Sequence, residues 1–268
     1  MSALAPGTAL YCHDGSLEGL LCVVFEAYAR HEAPASICVG TDVQLGFTQE
    51  LVDVTSDFRL AQRVRAGIER CGGSRAWACV SRAFLSDAPD RDTALFAYIA
   101  HIMEHGQRGV ADAAAPSVAR VEQLVTGVLN ERERMFQFLR FEELEGGVMF
   151  ARINPRACVV PLLLGHFHAR LGTQPFVIFD EAHGVVGVCD GQASTIVLAE
   201  SVDVPPRSPD ERGYQLLWKR FYDSIANEMR YAPALRRQLM PKRLWRNITE
   251  LAVVGRGMPG AVASTSSG

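Results

Sequence analysis

The chain has 268 residues, 48% of them hydrophobic and 21% charged. Those values exclude a disordered, collagenous or disulfide-stapled polypeptide and leave room for one large domain or two small ones. With Lys+Arg 27 against Asp+Glu 30 the formal charge is -3, which excludes a chain that is cationic throughout.

Ala9-Leu10-Tyr11-Cys12 is short and apolar and predicts a strand, punctuated by His13-Asp14-Gly15-Ser16. Asp14 or Ser16 caps a helix whose Leu17, Leu20, Leu21, Val24, Phe25 and Tyr28 recur at helical spacing, and Pro34 ends that region. A second helix is expected from Asp57 through Ile68, halted by Cys71-Gly72-Gly73. Two more are expected near 75–86 and 92–105, and Pro116 opens another that reaches about Arg134. Residues 1–134 therefore read as mostly helical.

The period then changes. Phe138-Leu139-Arg140-Phe141 and residues 148–153 predict two strands around Glu145-Gly146-Gly147. Residues 155–171 predict a helix ended by Gly172, and 175–180 with 185–189 a second hairpin through Glu181-Ala182-His183-Gly184. This β-β-α-β-β unit, 135–203, predicts a curved antiparallel sheet with helices on one face, and the fold class is α+β. Residues 204–209, with Pro205, Pro206 and Pro209, form a linker to a basic helical stretch over 210–251. There Tyr214, Leu217, Trp218, Phe221, Ile225 and Met229 share one stripe; 256–268 is a flexible tail of small residues. Residues 1–255 are read as a single composite domain.

Seven cysteines, an odd number with no C-x-x-C pair, sit mostly in apolar runs. They predict buried thiols in a reducing cytosol. Residues 1–10 have neither the basic nor the apolar region of an export signal, and no apolar run approaches the roughly 20 residues of a membrane span. A cytoplasmic protein without membrane contact is expected.

Charge is unevenly placed. From Arg212 to Arg246 nine basic residues face only Asp223 and Glu228, a net +7, which leaves -10 for the rest of the chain. Trp218, Phe221, Tyr222, Tyr231 and Trp245 interleave with them. Guanidinium groups grip phosphates through bidentate forks and aromatic faces stack on unpaired bases, so the stretch points to a polynucleotide, with internal ion pairing and a solvated face as the alternatives.

Other chemistry is sparser. His101-Ile102-Met103-Glu104-His105 matches H-x-x-E-H, which on a helix sets two histidines on one face as zinc requires, but no third ligand is identifiable and no metal is expected. His166-Phe167-His168 forms a second histidine cluster, and Asp180, Glu181, His183 and Asp190 flank the second hairpin, where a carboxylate could act as a general base. No phosphate-loop, dinucleotide-binding or G-x-S-x-G pattern is present, and no cofactor is expected.

Several stretches together resemble one family: Asp14-Gly15-Ser16 with Leu17-Glu18-Gly19-Leu20-Leu21, Phe138-Leu139-Arg140-Phe141 with Glu143-Leu144, and Pro161-Leu162-Leu163 with His166-Phe167 and Arg170. Gln174-Pro175-Phe176 with Asp180, Leu217-Trp218-Lys219, and Arg237-Gln238-Leu239-Met240-Pro241-Lys242-Arg243-Leu244-Trp245 continue the likeness, which covers about Tyr11 to Leu251. The chain resembles bacterial DNA repair or DNA metabolism proteins built on a domain of unknown function, which also occurs fused to uracil-DNA glycosylase domains. Stand-alone members neighbour a radical-SAM protein thought to act on DNA. The likeness departs at Glu133, where a histidine is implied, and near His183, where an arginine is implied.

That resemblance implies a DNA-binding accessory protein, on single or double strands, with a radical-SAM protein as partner. Arg140, Arg170, Lys219, Arg237, Lys242, Arg243 and Trp245 are the candidate DNA contacts. A glycosylase-like hydrolase acting on a damaged base is the alternative, with Asp180, Glu131 or His166 as its candidate catalytic groups. A protein scaffold without DNA contact is the third reading.

Overall fold

After β1 (Ala5–Pro6), the four residues of β2 (Leu10–His13) are all buried, the condition of a strand covered on both faces. β2 feeds α1 (Leu17–Arg30), whose N-cap Ser16 accepts the Gly19 N–H at 2.9 Å and whose buried face carries Leu20, Leu21, Val23, Val24 and Ala27. Then come β3 (Glu32–Ala33), β4 (Ser36–Val39) and β5 (Leu51–Asp53). β2 lies between β4 and β5 and is parallel to both, while β1 pairs with β3. Parallel neighbours need a crossover, which α1 supplies between β2 and β4.

This is a computed structural model, and it describes residues 4–40, 50–199, 201, 202, 204 and 206–208. The chain divides into two units, Met1–Leu129 and Asn130–Gly268. The basic stretch over 210–251, with Lys219, Arg237, Lys242, Arg243 and Trp245, and the tail after it lie outside the described residues.

In the first unit α2 (Phe58–Ala83) starts at Asp57, whose Oδ1 accepts the N–H groups of Arg59 and Leu60. It departs from helical geometry at Gly73 (φ 75°, ψ -176°). The halt expected at Cys71-Gly72-Gly73 is thus a kink, and the helix expected from residue 75 is its second arm. α3 (Arg91–His105), α4 (Gln107–Val110) and α5 (Pro116–Phe138) follow, the last running across the division between units. The core joins Leu20, Ile68, Val80, Leu95, Ile99, Ile102 and Val121, each such side chain contributing roughly 1.5–3 kcal/mol of burial. α1 and α3 lie where the periodicity puts them, α5 starts at Pro116 as expected and runs past Arg134, and α4 is not announced by the sequence. Of this parallel sheet the sequence announces β2 alone, because β4 and β5 are too short and too exposed to carry a strand signal.

In the second unit the strand expected at Phe138-Leu139-Arg140-Phe141 is the end of α5 and its exit. The Arg140 guanidinium donates to the carbonyls of Gln137 at 2.9 Å and Leu139 at 3.2 Å, satisfying groups the helix terminus leaves open. β6 (Glu142–Glu143) and β7 (Met149–Ile153) flank Gly146 and Gly147, whose φ angles of 92° and 80° suit glycine alone. α6 (Val160–Leu171) begins later than the expected residue 155, with proline in its first turn. β8 (Phe176–Asp180) and β9 (Val185–Cys189) form the second hairpin, and β10 (Ser194–Leu198), which the sequence pattern does not announce, adds an edge.

The strand order is β10-β9-β8-β7-β6, and the expected antiparallel sheet is corrected to a mixed one. β7 and β8 are adjacent, so the helix that links them returns the chain parallel; the other pairs are antiparallel. α6 packs on this sheet at Gly187, where a Cβ would come within 2.7 Å of Leu164 and Val160, so that glycine serves close approach. With helices and strands combined this way the fold class is α+β.

The expectation of thiols throughout is also corrected. Cys12 and Cys38 are register partners on β2 and β4, their Cα atoms 4.8 Å apart, and their sulfurs form a disulfide across 26 residues of sequence. Cys22 and Cys189 are buried free thiols. Among the described residues no helix is long and apolar enough to cross a membrane.

Candidate functional site

Two polar clusters stand out, one in each unit. In the first, β2 ends on His13, whose side chain is fully buried. The Gly15 N–H points at its Nδ1 at 3.2 Å, which puts the ring proton on Nε2, and Nε2 lies 3.3 Å from Asp92 Oδ2 at the start of α3. Arg91 closes the cluster with two bonds to the Asp92 carboxylate, at 2.7 and 3.2 Å. Burial opposes the Asp92 charge, but the hydrogen bonds from His13 and Arg91 outweigh it and hold the carboxyl below the ordinary aspartate value.

Beside it, Asp14 Oδ1 accepts the Ser16 hydroxyl at 2.5 Å and the Ser16 N–H at 2.9 Å, and Oδ2 accepts the Ser56 hydroxyl at 2.8 Å. The Ser16 hydroxyl and amide, then the Ser56 hydroxyl, lower the Asp14 pKa. The whole group closes on Gly19: a Cβ there would strike Asp14, approach Ser56 Oγ to 2.9 Å and His13 Nδ1 to 3.0 Å. The Asp14-Gly15-Ser16…Gly19 stretch thus has a physical reason. It forms a turn at the carboxyl ends of parallel strands whose polar groups satisfy one another, which braces the entry to α1. Sequence spacing could not reveal the His13–Asp92 pair, because its members stand 79 residues apart.

The second cluster holds the candidate carboxylates. Glu131 on α5 is buried; its Oε1 accepts the Arg156 N–H at 3.1 Å and its Oε2 the Arg134 guanidinium at 3.1 Å. Asp180, fully buried at the end of β8, accepts the N–H groups of Ala182 and His183 on Oδ1 and the His183 Nδ1–H on Oδ2 at 2.6 Å. Ile153, three residues before Arg156, is the register partner of Asp180, so both carboxylates serve the carboxyl ends of the parallel pair β7–β8. Each closes backbone donors at a turn. A general base needs a free lone pair aimed at substrate, and the described bonds of both groups point into the fold.

His166 is placed differently. It is exposed on α6, and its ring stacks on Phe136 of α5 with centroids 4.0 Å apart and planes 28° apart. Arg132, one turn before Phe136, sets its guanidinium 5.4 Å from that ring. Arg170, one turn beyond His166, is exposed, and so is Arg156; neither guanidinium has a partner among the described contacts. Phe136 was invisible as a site residue because a lone phenylalanine on a helix reads as core. The i, i+4 spacings of Arg132 with Phe136 and of His166 with Arg170 are the signal that pairs them.

Of the H-x-x-E-H motif, the rings of His101 and His105 stack 4.4 Å apart, and His101 Nε2 lies 3.5 Å from Asp112. Among the described residues no group of three or more metal-ligating side chains converges, there or elsewhere.

An α+β chain with internally satisfied carboxylates and outward arginines thus stands beside what its relatives show. Residues 89–250 match the family described as a domain of unknown function, DUF4130, and the chain belongs to that family. The matched span takes in Asp92, Glu131, His166, Asp180 and the whole +7 stretch, and begins after His13 and Asp14. No curated protein matches this chain. Three solved chains match it, one of them the pGpG-specific phosphodiesterase PggH from Vibrio cholerae, at 9% identity, with a TM-score of 0.31, over 70% of this chain and 81% of that one.

Proposed function

We propose that this protein is a DNA-binding accessory factor of a repair or modification system, working in the cytoplasm beside a radical-SAM or uracil-DNA-glycosylase partner. The observation that carries the reading is the segregation of charge: nine basic residues against two acidic ones between Arg212 and Arg246, in a chain whose total is -3. A local field of that kind draws polyanions, and counterion release makes such binding strongly salt-dependent. The exposed Arg156 and Arg170 of the second unit support it, being free of described partners. The bonding of Glu131 and Asp180 speaks against the hydrolase alternative, since a catalytic role would have to break bonds that close the fold.

The test is titration of the full chain into labelled single- and double-stranded oligonucleotides across a salt series. The expected result is an affinity that falls by orders of magnitude between about 50 and 200 mM salt. Undetectable or salt-independent binding would overturn the reading. Nuclease-insensitive co-purification with the radical-SAM neighbour would then favour the scaffold, and base release from a lesion-containing strand the hydrolase.

A further inference from the structure

We propose that His166, backed by Phe136 and Arg132, is a stacking platform for an unpaired nucleobase, and that Arg170 takes the adjoining phosphate. This rests on the polynucleotide reading above and narrows it to single-stranded substrate.

The ladder is built from two helices. On α5, Arg132 and Phe136 stand one turn apart, as do His166 and Arg170 on α6, so each pair shares a helix face. The Arg132 guanidinium lies 5.4 Å from the Phe136 ring centre, and that ring lies 4.0 Å from the centre of His166. Buried Phe167 meets the His166 ring edge-on, with planes 87° apart and centroids 5.1 Å apart, which fixes its tilt from the side. Arg132 is tethered by Glu133 at 2.6 Å, and its buried Nε has no hydrogen-bond partner among the described residues.

The outermost member is the informative one. A ring that only fills a core would be covered, whereas His166 is exposed. Its neighbour Gly165 has open space where a side chain would begin, with no atom within 4 Å, so nothing from that residue screens the ring. An aromatic ring held at a fixed tilt with one face backed, on a residue that stands exposed, is what base stacking uses, because every base has a π-face and an unpaired one can reach it. In a duplex those faces are already stacked. Arg170, exposed and without a described partner, is one helical turn away, within reach of the backbone phosphate of a base stacked on His166.

The experiment compares the full chain with His166→Ala, His166→Trp and Arg170→Gln, titrated into a labelled oligothymidylate and into a duplex. His166→Ala is expected to weaken oligothymidylate binding roughly tenfold and leave the duplex within about twofold. Arg170→Gln is expected to lower the slope of log affinity against log salt on the single strand by about 0.7. His166→Trp retains a ring whatever becomes of the alanine variant, and the indole emission it adds is expected to be quenched by oligothymidylate and not by duplex. If the parent chain binds in a salt-dependent way and His166→Ala binds equally well, or loses both substrates alike, or the new indole is unmoved, the platform is overturned and the polynucleotide reading stands. If the parent chain binds neither substrate, both fall.

Discussion

The two units bury charge in different ways. In the first, His13, Asp92 and Arg91 satisfy one another through side chains, and the bond from His13 to Asp92 ties β2 to α3 across 79 residues. In the second, Glu131 and Asp180 are as deeply buried, but they hold backbone N–H groups and neighbours three residues away, Arg134 and His183. The first arrangement joins side chains from distant parts of the chain; in the second, Asp180 closes a local turn and Glu131 reaches a backbone N–H 25 residues on. In both, buried polarity serves the fold, and what remains open to a ligand is the surface, where the second unit offers a backed histidine and, in Arg156 and Arg170, guanidinium groups without a partner among the described residues.

The contrast can be broken at its strongest point. Asp92→Ala leaves the Arg91 guanidinium and the buried His13 without their shared acceptor and is expected to destabilise the protein by about 3–5 kcal/mol, read from chemical denaturation. A loss near that of an exposed ion pair, under about 1 kcal/mol, would show the cluster to be incidental. The same carboxyl sets a pH dependence. Its folded pKa lies below the unfolded value near 3.8, so its stabilisation is complete above that pH and is lost as pH falls through the folded value. Asp92→Asn should therefore flatten the acid limb of the stability profile.

Reducing the Cys12–Cys38 disulfide comes next. It releases a 26-residue separation in the unfolded chain, and the expected cost is about 3 kcal/mol, measured as the shift in thermal midpoint with and without reductant. A Cys12→Ser/Cys38→Ser chain should melt with the reduced protein and be indifferent to reductant. The smallest effect belongs to the second unit. Glu131→Gln keeps an acceptor for the Arg156 N–H and removes the charge facing the half-exposed Arg134, for an expected loss of about 1 kcal/mol. A loss equal to that of Asp92→Ala would erase the distinction between the units.

The sequence announces what is periodic and local. A cap at Asp14 or Ser16, the α1 stripe, an interruption at Gly72-Gly73 and the hairpin around His183 all follow from spacing within one turn of helix or one strand pair. It is silent where the signal is short or distant. β10 is five residues, all exposed, at a sheet edge, and β5 buries only Val52. Cys12 and Cys38 meet because β2 and β4 pair in register, and that register is a property of the sheet, visible in no local pattern. The parallel direction of β7 and β8 has the same origin: a β-β-α-β-β string is compatible with more than one strand order, and the one found here brings α6 close to the sheet at Gly187. Of the candidate site, His166 and Arg170 are legible as residue types, but their relation to Phe136 requires two helices to be placed side by side.

The most direct test of the central claim is the salt slope of DNA binding by a full-length chain carrying Lys219→Gln, Lys242→Gln and Arg243→Gln. The account predicts that log affinity for a single strand falls less steeply with log salt, by about 2 for the three phosphate contacts removed. A slope unchanged from the parent chain would contradict it.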